Sequence, residues 1–120
     1  MEPRLTFTFD CVDPESLARF WSEALGYTSL GRAGEFWPLL PESDREPVII
    51  LQQVPEEKTG KNRMHLDLHV EDLDGEVARL VTLGARRLQD EPSLGHGHTW
   101  FVMADPEGNE FCVVRRPASS

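Results

Sequence analysis

The chain has 120 residues, 39% hydrophobic and 28% charged, enough for one packed core and too few for two full-size domains. Lys and Arg number 12 against 21 Asp and Glu, a formal net charge of −9, which disfavours nucleic acid and anionic membranes as partners because like charges repel. No apolar run approaches the roughly 20 residues of a membrane helix. The opening Met-Glu-Pro-Arg has no secretory h-region and two cysteines, Cys11 and Cys112, make no disulfide framework, so a cytoplasmic location is expected.

In chain order, residues 4–13 alternate apolar and polar, the period of a half-buried strand. Leu17, Phe20, Trp21, Ala24 and Leu25 then recur at helical spacing. Asp13 followed by Pro14 is a helix start, since the carboxylate can accept first-turn N–H groups, and Gly26 is a stop. Strands are expected over 26–30, 35–40 and 47–54, separated by turn residues at Gly31, Gly34 and 41–44, with 55–61 as a polar linker. The pattern then returns. Residues 63–72 alternate again, and their closing Asp72 lies 59 positions after Asp13. Leu73, Val77, Leu80 and Val81 mark a second helix, closed at Gly84. Strands follow over 85–89, 99–104 and 110–115, with turns at 95–97 and 105–109 and a frayed tail over 117–120.

The fold class is therefore α+β, a single domain over 1–120 made of two βαβββ modules, 4–54 and 62–116. A half of about 55 residues stabilises itself poorly, with one sheet face under its helix and the other bare. Two such halves are expected to curl into a mixed-sheet cup with the helices outside. On the second module's first strand, Leu66, Leu68 and Val70 share the helix-facing side, which turns His65, Asp67 and His69 to the interior. Thr6, Thr8 and Asp10 are their counterparts in the first module. Polar side chains converging in an enclosed cleft are the precondition of a ligand site.

His65 and His69 stand about 13 Å apart along a strand, so only one of them is expected to join a metal. His96-Gly97-His98 could bind a soft ion, but such a loop is more often merely flexible, and at a cleft mouth it could gate entry. Trp21 belongs to the helix core. Trp37 and Trp100 occupy equivalent strands and either pack under helices or line the cup, depending on strand parity. No phosphate-binding glycine loop, dinucleotide fingerprint or nucleophile elbow is present.

The second half, from His65-Leu-Asp-Leu-His-Val-Glu-Asp72 through Leu83-Gly84-Ala85 to Trp100-Phe-Val-Met-Ala-Asp-Pro-Glu-Gly-Asn-Glu-Phe111, resembles the glyoxalase/bleomycin-resistance/dioxygenase family, the vicinal oxygen chelate superfamily. Residues 13–26 resemble the same module. The resemblance implies a small glyoxalase-like protein with a divalent metal (Zn, Ni, Fe or Mn) in the cup, or none. His65 matches the family's first-strand ligand. Gln52 or Gln53 would serve from the first module's last strand. Cys112 stands where the family has a glutamate, and Thr6 where it has another ligand. Asp67 or Glu110 would shuttle protons, while Thr6, Thr8, Asp10, His69, Trp37, Trp100 and His98 would contact the ligand. The implied activity is that of a lyase, isomerase or dioxygenase on a small molecule; the alternative is a metal-free protein that sequesters a flat or cationic guest, as antibiotic-resistance members do. A homodimer is implied as well.

Overall fold

The computed structural model describes residues 5–115. The expected module ends at Arg4 and Arg116, the opening Met-Glu-Pro-Arg and the tail 117–120 lie outside the described residues. The chain divides after Lys58 into two compact units. Each is α+β, with one helix and one open mixed sheet.

In the first unit the elements are β1 (Thr6–Cys11), α1 (Pro14–Leu25), β2 (Thr28–Ser29), β3 (Phe36–Leu40) and β4 (Val48–Gln53). The sheet order is β1-β4-β3-β2, with β1 parallel to β4 and the other neighbours antiparallel. The helix begins where the Asp13 carboxylate accepts the Ser16 N–H at 3.2 Å. It ends at Gly26, whose φ of 70° takes the left-handed turn that a Cβ would oppose. Its apolar stripe, Leu17, Ala18, Phe20 and Trp21, is at most 2% exposed. Trp21 meets Phe9 of β1 edge-on at 5.9 Å between ring centroids, and Leu39, Ile49 and Leu51 complete the core. Each of the larger aliphatic and Phe side chains among these contributes about 1.5–3 kcal/mol.

The second unit runs β5 (Leu66–Val70), α2 (Leu73–Thr82), β6 (Arg86–Arg87), β7 (Ser93–Gly95), β8 (His98–Ala104) and β9 (Glu110–Arg115). Its order is β5-β9-β8-β6, with β7 also paired to β8 and β5 parallel to β9. Asp72 caps α2 by accepting the Gly75 N–H at 3.0 Å. Val77 and Leu80 of α2, with Phe101, Met103, Phe111 and Val113 of the sheet, are 4% exposed or less.

This unit departs from the simple repeat in one place. Residues 93–95, where the sequence pattern predicts no strand, form β7, joined to β8 by a two-residue hairpin. His96 (φ 51°) and Gly97 (φ 80°) are its central residues. Positive φ at both positions is what a type I′ turn requires, and its twist suits the flanking strands. His is among the residues that tolerate this region, and the turn expected at 95–97 is a tight hairpin turn centred on 96–97.

The turn at 105–109 is built around a buried acid. Asp105 is 1% exposed. Its oxygens accept the Glu107 N–H at 2.9 Å, the Asn109 N–H at 2.9 Å and the Asn109 side-chain amide at 2.8 Å. The family-like Asp-Pro-Glu-Gly-Asn run is thus a self-satisfied hydrogen-bonded corner that aims β9.

Candidate functional site

Strand alternation sorts the second sheet into two faces. Leu66 pairs with Phe111 and Leu68 with Val113, and this side packs under α2. Asp67 pairs with Cys112 and His69 with Val114 on the helix-free side. Trp100 and Val102 of β8 join them, opposite Val114 and Cys112. His65 lies one residue before β5, so continuing the ladder by one row sets it beside Glu110. His65 and Asp67 on one strand, with Glu110 and Cys112 on the next, form a square of side chains. Its sides are set by the sheet: about 4.8 Å between strands and about 6.6 Å between alternate residues.

Within that square, His65 Nε2 and Asp67 Oδ1 are 3.2 Å apart, with both side chains about half exposed. One donor atom each from His65, Asp67 and Cys112 lies within 4.8 Å of the other two. Imidazole, carboxylate and thiolate are the ligand types of zinc and other borderline divalent ions. Cys112 is half-buried and free. Burial, and next the Asp67 carboxylate, push its thiol up to about 11, while Lys61 pulls the other way. The thiol is therefore protonated at neutral pH unless a cation displaces the proton.

Glu110, expected as a proton shuttle, is held by Lys61, the last residue of the segment read as linker, and by Asn62 after it. Lys61 Nζ contacts its two carboxylate oxygens at 3.0 and 3.1 Å. The Asn62 N–H reaches Oε1 at 3.4 Å, and the Asn62 side-chain amide donates to the Glu110 carbonyl at 3.0 Å. Lys61 and Asn62 were not singled out from the sequence. Their partner is nearly fifty residues away, and no local pattern signals such a contact.

The other expected site residues fall as parity dictates. His69 and His98 are on the helix-free side of the second sheet, outside the His65 cluster. His98 Nδ1 lies 3.1 Å from the His96 carbonyl. Trp100 shares that side, half-buried. Trp37 does not mirror it. It pairs with the fully buried Leu51, so it lies on the α1 side of its sheet, with its indole N–H on Ser29 Oγ at 2.6 Å and the Arg32 guanidinium over its ring. In the first unit Thr6, Thr8 and Asp10 occupy the helix-free side, with Thr6 and Thr8 opposite Val48 and Ile50. The register also separates the two glutamines. Gln52 pairs with Asp10 on that side. Gln53 is on the other, where its amide donates to the Val12 carbonyl and its oxygen accepts from Arg32. The position in β4 that corresponds to Cys112 is Ile50, opposite Thr8 as Cys112 is opposite Asp67. Gln52 therefore sits one row beyond the place a symmetric ligand would take.

A family model described as a glyoxalase-like domain matches residues 6–114. A glyoxalase/bleomycin resistance protein/dioxygenase family enzyme from Burkholderia phytofirmans PsJN superposes with a TM-score of 0.76 at 17% identity, covering 92% of this chain and 95% of that one. The fosfomycin resistance protein FosX from Mesorhizobium loti gives 0.72 at 16% identity, covering 99% and 94%. TioX from Micromonospora sp. ML1 gives 0.66 at 15%, covering 96% and 99%. At these identities the likeness establishes the fold alone. None of the curated proteins is significantly similar in sequence.

Proposed function

Because the chain belongs to the family of glyoxalase-like domains, we propose that it binds a small oxygen-bearing molecule against the helix-free face of its second sheet and acts on it as a metal-dependent lyase, isomerase or dioxygenase. The observation that carries this reading is the convergence of His65, Asp67 and Cys112 donor atoms within 4.8 Å of one another. Two ligands on one tetrahedral ion stand about 3.3 Å apart for bonds near 2.05 Å. The 3.2 Å between His65 and Asp67 is close to that separation. A bound divalent cation would supply Lewis-acid polarisation of vicinal oxygens.

The chain's own residues do the rest. His65, Asp67 and Cys112 would hold the ion, and Cys112 would release its thiol proton to solvent on becoming a ligand. Trp100 and Val102 give the same face an apolar wall against which a small molecule can exclude water. The first unit carries the hydroxyl of Thr6 where the second has an imidazole, so the metal reading rests on the second unit. A homodimer belongs to the same proposal and is checked by sedimentation.

One observation favours the alternative, a metal-free protein that sequesters a cationic guest. With the Cys112 thiol held protonated by its pKa of about 11, the face keeps the Asp67 carboxylate as a ready counter-charge. Metal analysis of protein purified without an affinity tag decides between them. About one equivalent of zinc, nickel, iron or manganese, lost in His65→Ala, supports the metalloenzyme. Less than about a tenth of an equivalent, unchanged after adding each ion, removes it. A thermal shift from cationic small molecules would then support sequestration, since a ligand at 100 times its Kd adds about 2.7 kcal/mol.

A further inference from the structure

Cys112 and its two partners make three donors, which leaves further positions on a divalent ion for substrate and for another side chain. The fourth corner of the square is Glu110, on the same face of β9 as Cys112 and in the row of His65. Its carboxylate points to Lys61, whose side chain is 79% exposed while that of Glu110 is 21% exposed. Building on the metal reading above, we infer that Glu110 is a reserve ligand, and that the Lys61–Glu110 ion pair is a latch that withholds it from a cation at His65, Asp67 and Cys112.

The chemistry of the exchange is simple. A carboxylate that leaves an ammonium, and the 3.4 Å contact with the Asn62 N–H, for a divalent cation gains the larger charge. The ammonium it leaves is already mostly in water and loses little by swinging free, because exposed ion pairs are weak. Asn62 keeps the corner in place meanwhile. Its amide holds the Glu110 carbonyl, and that bond does not depend on where the carboxylate points. The latch also lowers affinity directly, since Lys61 brings a positive charge to the edge of the cation site.

Zinc affinity measured by competition with a chromophoric chelator tests this on the full chain, with the Co²⁺ absorption spectrum as a second readout of ligand number and type. Lys61→Met is expected to bind zinc about tenfold more tightly than the unaltered chain, the lower end of what outer residues do to metal sites. Glu110→Gln is expected to weaken binding, and Lys61→Met/Glu110→Gln to lose the gain. The Co²⁺ spectrum should shift when Glu110 is changed and keep its thiolate band. Equal affinity of Lys61→Met and the double variant, or a Co²⁺ spectrum indifferent to Glu110, overturns the latch while leaving the three-residue site intact. No zinc or Co²⁺ uptake by any variant overturns both. Unfolding midpoints of all variants, measured without metal, exclude loss of fold as the cause.

Discussion

Asp67 and Cys112 face each other across the parallel strands β5 and β9, and the carboxylate helps hold the thiol protonated. Replacing Asp67 by Asn removes that charge while burial, the larger cause, remains. The Cys112 thiol should fall from about 11 towards its ordinary value of 9.0 without reaching it. Iodoacetamide alkylation followed across pH reports this directly. Asp67→Asn should react several-fold faster at pH 8 than the unaltered protein; equal rates would show that the two groups do not interact.

The same group sets an alkaline limit. A thiol whose folded value lies above its unfolded one contributes stability that is complete below about pH 9 and is lost as pH rises through about 11. Tyr27 acts in the same direction, raised first by burial and then by Glu46. Thermal unfolding between pH 8 and pH 11 should show a steady decline that Cys112→Ser makes shallower. A decline of unchanged slope in that variant would assign it to other groups.

Zinc binding should be strongly pH-dependent, because one thiol proton must leave for each ion bound. Affinity is expected to rise about tenfold per pH unit from 7 to 9. Calorimetry in buffers of different ionisation heat should count about one released proton, falling towards zero in Cys112→Ala.

Asp105→Ala leaves the Glu107 and Asn109 N–H groups without the carboxylate that accepts them inside the protein. A loss of about 2–4 kcal/mol is expected by urea unfolding, since each buried unsatisfied donor costs about 1–3 kcal/mol. A loss below about 1 kcal/mol would mean water replaces the acid.

His96 is the one non-glycine residue with positive φ among those described. His96→Asn should be neutral or slightly stabilising, because Asn favours this turn. His96→Val should cost about 1 kcal/mol, because a β-branched side chain opposes positive φ more strongly than an imidazole does. Equal stability of the two variants would rule out the type I′ geometry.

The sequence by itself determined the two-fold repeat, the helices between capping aspartates and glycines, and the alternation that sets Asp67 and His69 apart from Leu66 and Leu68. These are local properties: strand parity, helical period and cap chemistry act over a few residues, and pattern suffices to read them. The tertiary structure decided what depends on strands far apart in the chain. Which of Gln52 and Gln53 joins Asp10, whether Trp37 and Trp100 match, that Cys112 stands opposite Asp67, and that Lys61 grips Glu110 are all matters of register. A shift of one residue sends every side chain of a strand to the other face, and only the pairing of distant strands fixes it.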